Sequence, residues 1–117
     1  MIQANQRTMV IAQIETERGL DNVEAIAAVP GIDALWLGHS DLSNFMGIPN
    51  QFDHPDFDAA MIRIAQVARA HGKAAGFMAS STAWVERAKA SGYNMIAAGT
   101  DVGFVAAGAR TLVEAIQ

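Results

Sequence analysis

The sequence predicts an α/β fold in which four β-strands alternate with helices around a parallel sheet. Three observations predict it. Short apolar runs recur at residues 8–14, 33–37, 73–78 and 93–98, and they are near-continuously apolar, as strands buried on both faces are. Amphipathic segments with helix start and stop signals separate them. The strand–helix order repeats four times, which implies right-handed crossovers and parallel strands. Two architectures fit four such units, half of an eight-fold (β/α) barrel or a small doubly wound sheet, and periodicity does not choose between them. With short linkers and no low-complexity tract, residues 1–117 read as one domain.

The elements follow in order. The first run, Thr8-Met9-Val10-Ile11-Ala12-Gln13-Ile14, is rich in strand formers. The helix after it places Leu20, Val23, Ile26 and Ala27 on one stripe. The second run, Asp33-Ala34-Leu35-Trp36-Leu37, leads to a short helix expected to start at Leu42. The next helix is the best marked: Pro55 at its first position, Asp56 and Asp58 at the positive end of its dipole, Arg69 and His71 at the other end, and Gly72 as the stop. Its buried face is Phe57, Met61, Ile64, Ala65 and Ala68. The third and fourth runs are alanine-rich, so their context rather than their propensity makes them strands. A helix at 82–91 offers Trp84, Val85 and Ala88, and the last helix carries Val105, Ala109, Leu112 and Ile116.

Composition narrows the function. The 117 residues are 51% hydrophobic and 17% charged, with a net charge of −4, the balance of a globular chain. Lys and Arg are scattered rather than gathered into a stripe that would track phosphates, so nucleic acid is not an expected partner. No apolar run reaches the length of a membrane span. The polar N-terminus has no signal-peptide core, and a cytoplasmic location is expected. There are no cysteines, so any metal must be held by Asp, Glu or His.

In both architectures the C-terminal ends of the strands carry function. Two carboxylates, Glu15 and Asp41, follow successive strands. Adjacent strands lie about 4.8 Å apart, so both groups can converge on one hard cation such as Mg²⁺ or Mn²⁺, which takes oxygen ligands and keeps several waters. The competing readings are a helix cap for Asp41 and an ordinary loop acid for Glu15. The stretch Gly38-His39-Ser40-Asp41 offers backbone N–H groups to a substrate carboxylate, or it is a plain loop. His39 is a candidate ligand or acid/base, or a loop histidine. His54 and His71 read as helix-terminal, Asp101 as a helix cap, and Trp36 and Trp84 as packing.

These segments together resemble the HpcH/HpaI-type aldolases. Gln13-Ile14-Glu15-Thr16 with Asn22, then Val29-Pro30-Gly31-Ile32-Asp33, is similar to that family. So is Leu37-Gly38-His39-Ser40-Asp41-Leu42-Ser43 with Met46-Gly47 and His54-Pro55, and so are Gly72-Lys73-Ala74-Ala75-Gly76 and Ala97-Ala98-Gly99-Thr100-Asp101. The resemblance implies half of a (β/α)8 TIM barrel, with this chain supplying strands five to eight. It implies that Glu15 and Asp41 bind a divalent metal (Mg, Mn or Co) that holds pyruvate and stabilises its enolate. Gly38, Ser40 and Asp41 would contact the substrate carboxylate, and Met78 would line the aldehyde side.

Two departures stand out. The family usually has Pro at the position of His39, and the His–Asp base and keto-binding Arg of the family have no counterpart in these residues. The expected activity is cleavage or condensation of a 4-hydroxy-2-oxo acid to pyruvate and an aldehyde, completed by another half or by oligomerisation. Open sheet edges and a last helix through which family members associate make a homo-oligomer the expected state. The alternative is a catalytically inactive, self-associating half-barrel or a regulatory subunit. A citrate-lyase-type acyl partner ranks lower, because no basic cluster for coenzyme A is evident.

Overall fold

A computed structural model describes residue 4 and residues 7–116. Four strands, β1 (Ile11–Ile14), β2 (Ala34–Leu37), β3 (Ala74–Ala79) and β4 (Met95–Ala98), form one sheet in the order β1-β2-β3-β4. Every pairing is parallel. A doubly wound sheet reverses its strand order at a switch point, and this sheet never does. The architecture is half of a (β/α)8 barrel. The helices are α1 (Glu17–Asp21), α2 (Val23–Ala27), α3 (His39–Phe45), α4 (Pro55–Ala70), α5 (Thr82–Ala90) and α6 (Asp101–Ile116).

The pleat sorts side chains into rows. Ile14, Leu37, Phe77 and Ile96 share one row. This row faces the helices and packs with Phe57, Met61, Ile64 and Ala88 in the core. Gln13, Trp36, Gly76 and Met95 form a row on the opposite face. There the Trp36 ring lies over Gly76, and a Cβ added at Gly76 would meet ring atoms Cζ3 at 2.9 Å and Cδ2 at 3.1 Å. Gly76 is therefore a matter of space for the indole, not of backbone angle.

The helix signals in the sequence act as expected in α4. His54 is its N-cap, with Nδ1 accepting from Asp56 N at 3.2 Å, and Pro55 is its first residue. Gly72 follows at φ +67°. His71 closes the helix and ties it to α2 through Glu24, Nε2 to Oε2 3.0 Å. Tyr93 crosses the core to donate to the Met61 carbonyl at 2.9 Å, and burial pushes its phenol above the ordinary tyrosine range.

Three expectations need correction. The first helix is two pieces, because Asn22 leaves the helical path and ends α1 before α2 begins. The third helix begins at His39 rather than Leu42, so Asp41 lies within its first turn and is not its cap. The last helix is capped by Thr100, whose Oγ1 accepts from Gly103 N at 3.1 Å, while Asp101 is already helical. The apolar residues of this helix stand exposed: α6 has no buried residue, and Val102, Val105 and Ile116 are 74%, 73% and 85% exposed. The described residues span 55 × 42 × 22 Å with a radius of gyration of 16.7 Å, against about 13 Å for a compact chain of this length. Among the described residues no helix is long and apolar enough to cross a membrane.

Candidate active site

Beyond the buried row at the end of the strands lie Glu15, Gly38, Met78 and Ala97. Met78 and Ala97 are register partners, and Gly38 N donates to the Ile14 carbonyl at 3.0 Å, which carries the β1–β2 pairing one step past the strands. By the alternation of the pleat this row shares the face of Trp36 and is turned away from the helices.

Glu15 is held in place from two sides. Its Oε2 accepts from Gln13 Nε2 at 2.6 Å, and both side chains lean over Gly38. A Cβ at Gly38 would lie 2.6 Å from Glu15 Cβ, 2.8 Å from Gln13 Nε2 and 3.1 Å from Glu15 Oε2. Glycine at 38 thus leaves the space that the carboxylate fills. The sequence reading did not assign Gln13 a role; the signal available was a polar residue in the middle of an apolar strand.

Asp41 is exposed in the first turn of α3. Negative charge is favourable there, because the helix N-terminus carries a partial positive charge. The helix is only seven residues long, and Gly38 gives it no side-chain cap. Ser43, fully buried, fastens it instead: Oγ donates to the Ser40 carbonyl at 2.8 Å and accepts from Asn50 N at 3.0 Å. Ser43 is a second residue that the sequence reading left without a role.

His39 turns away from the carboxylates. Its ring packs on Phe77 at 5.3 Å, Phe52 at 5.4 Å and Trp84 at 5.8 Å between centroids. Phe77 belongs to the row that faces the helices, so this cluster lies on the helix side of the sheet. Burial holds the imidazole below the ordinary histidine value, against a smaller upward pull from Asp41, which keeps the ring neutral near pH 7. Ser40 is exposed beside Asp41, and Met78 is half-buried in the strand-end row.

The donor chemistry fits a hard divalent ion. Glu15 and Asp41 offer carboxylate oxygens, and Gln13 occupies one oxygen of Glu15 and orients the rest. Among the described residues no three His, Cys, Asp or Glu side chains come together. Carboxylate oxygens are the donor type that hard divalent ions take, with water and substrate filling the remaining positions.

The sequence profile of the HpcH/HpaI aldolase/citrate lyase family matches residues 2–107. The chain belongs to the HpcH/HpaI aldolase/citrate lyase family. Two curated relatives show its range. It is 37% identical over 115 residues to a 5-keto-4-deoxy-D-glucarate aldolase of Salmonella arizonae, covering 98% of this chain and 45% of the relative. It is 39% identical over 101 residues to a 2-keto-3-deoxy-L-rhamnonate aldolase of Klebsiella pneumoniae, covering 86% of this chain and 38% of the relative. A solved HpcH/HpaI aldolase/citrate lyase family protein from Burkholderia cenocepacia superposes with a TM-score of 0.89 at 35% identity, over 98% of this chain and 45% of that one. This HpcH/HpaI family chain therefore spans less than half the length of these relatives, as a half-barrel should.

Proposed function

We propose that this chain is the C-terminal, metal-binding half-barrel of a class II 2-oxo-acid aldolase domain, corresponding to strands five to eight, in which Glu15 and Asp41 hold a divalent cation (Mg, Mn or Co). The observation that carries this reading is the strand-end row, where Gln13 orients the Glu15 carboxylate over Gly38, the N-cap of the helix that bears Asp41. The ion supplies Lewis acidity toward the keto and carboxylate oxygens of pyruvate. Ser40 and Asp41 place backbone N–H groups at the start of α3, where a substrate carboxylate is favoured, while the Gly38 N–H is already given to the Ile14 carbonyl and Gly38 contributes the open space beside them; Met78 gives the aldehyde side an apolar wall.

In the cleavage direction the C3–C4 bond of a 4-hydroxy-2-oxo acid breaks. The 4-hydroxyl proton goes to a base, the aldehyde leaves, and C3 is reprotonated to give pyruvate. The described residues around Glu15 and Asp41 do not include that base, so turnover needs residues outside this half-barrel, from a front half or from an assembled partner. A second reading, a self-associating half-barrel without turnover, draws support from the exposed apolar residues of α6.

Two measurements test the proposal. Mn²⁺ is expected to bind the purified chain, pyruvate is expected to tighten it, and Asp41→Ala is expected to abolish both; unchanged binding in that variant refutes the assignment. Release of pyruvate from a 4-hydroxy-2-oxo acid with Mn²⁺, abolished by EDTA, would show that the chain completes its own site. No release from a folded, Mn²⁺-binding sample supports the second reading for the chain alone.

A further inference from the structure

The helix that carries Asp41 is too short to hold itself. Seven residues lie well below the length at which a helix is stable alone, and its N-cap glycine supplies no side-chain oxygen. Ser43 secures its later turn. The first helical residue, two before Asp41, is His39, and its ring is gripped by three elements at once: Phe77 of β3, Trp84 of α5 and Phe52 of the loop before α4. Phe52 and Trp84 also pack on each other at 5.4 Å between centroids, and Phe77 and Trp84 at 5.1 Å, so Trp84 ties the other two rings together. The Arg87 guanidinium lies 4.9 Å from the Trp84 ring. Among the described residues the histidine hydrogen bonds are those of His54 and His71; His39 is held by ring contacts.

We infer that His39 is a positioning residue for Asp41: its ring pins the first turn of α3 to β3 and α5, and thereby fixes where the Asp41 carboxylate stands. The role rests on the metal-site reading for its consequence, but the fixing of α3 is testable without metal. The ring matters and its nitrogens do not, which separates this role from ligation or proton transfer.

Three variants test it: His39→Phe, His39→Ala and Asp41→Ala. The first readout is amide hydrogen exchange in metal-free protein at Leu42, whose N–H donates to the Gly38 carbonyl at 2.9 Å, with α4 amides as the internal reference for global unfolding. His39→Ala is expected to speed exchange at Leu42 about tenfold relative to α4 through local opening, and His39→Phe to restore the wild-type rate. The second readout is Mn²⁺ affinity, followed by the signal of free Mn²⁺. His39→Ala is expected to weaken it about tenfold, the usual scale for a residue that orients a ligand, and His39→Phe to leave it near wild type. Exchange or affinity as poor in His39→Phe as in His39→Ala would overturn the inference by assigning the work to the ring nitrogens. Wild-type exchange in His39→Ala would overturn it as well. If Asp41→Ala binds Mn²⁺ as the wild type does, the metal-site reading fails, and the exchange result still decides whether His39 fixes α3.

Discussion

Replacing Gly38 with alanine tests whether the strand-end glycine exists for the sake of Glu15. Its backbone, φ −86° and ψ 78°, has a negative φ that other residues adopt, so alanine incurs no left-handed strain. The conflict is spatial. The new methyl would stand 2.6 Å from Glu15 Cβ, at a point fixed by the Gly38–Ile14 backbone bond, and 2.8 Å from Gln13 Nε2. Either the strand ends part or the Glu15 side chain swings out and gives up its 2.6 Å bond from Gln13. Overpacking of this kind costs about 1–3 kcal/mol. The lost bond adds at most about 1 kcal/mol, because Glu15 is partly solvated. The expected result is a melting temperature lower by about 4–16 °C for a domain of this size and a Mn²⁺ affinity lower by about 10- to 100-fold. Thermal unfolding with and without Mn²⁺ measures both, since the metal's stabilisation of the wild type should shrink in the variant. Gly47→Ala is the control: it has φ +71° and no atom within 4 Å of the added Cβ, so it should lose stability without losing Mn²⁺ affinity. A Gly38→Ala protein with wild-type melting and wild-type Mn²⁺ affinity would refute the reasoning.

Other perturbations follow from the same structure. Tyr93→Phe removes the buried bond to the Met61 carbonyl and should cost about 1 kcal/mol in denaturant unfolding at pH 7. The folded phenol titrates above its unfolded value of about 10. Its contribution is therefore whole below that pH and is lost as pH rises beyond it; a stability profile from pH 9 to 11 should fall less steeply in Tyr93→Phe. Arg87→Met removes the guanidinium that pairs with Asp58 at 2.7 Å and Asp53 at 3.2 Å and donates to the Phe52 carbonyl. The fully exposed Asp53 adds little, so about 1 kcal/mol is expected from the rest, with faster proteolysis in the loop before α4. Gly108→Ala fills open space within α6 and should raise helicity by circular dichroism, with a gain of up to about 1 kcal/mol for that helix.

Much of the fold is legible in the sequence because its parts are local. The strands were read within three residues of their observed bounds, since continuous apolar runs between helix signals leave little else for them to be. The start of α4 follows from His54 and Pro55, and its end from Gly72. The break at Asn22 was not legible, because Leu20 through Ala27 keep one apolar stripe across it. The α3 start was missed for a related reason: Asp41 has the chemistry of a cap, and only the path of the chain after Leu37 shows that His39 is already helical. That Glu15 and Asp41 follow successive strands was legible from their positions alone. The hold on Glu15 by Gln13, and the direction of His39, depend on which face of the sheet each residue meets, and no spacing rule gives that for residues just past a strand. For α6 the apolar stripe says that something covers it, without saying what.

The Trp36–Gly76 contact has a consequence for how this sequence can change. Two positions forty residues apart share one volume: the ring at 36 occupies what any side chain at 76 would need. Substitutions there are therefore ordered. A larger residue at 76 is accessible only after 36 has shrunk, while the reverse order passes through a clashing intermediate. The two sites should show strong, sign-dependent coupling in a double-mutant cycle, and a library that varies either one alone will see a narrower set of tolerated residues than one that varies both.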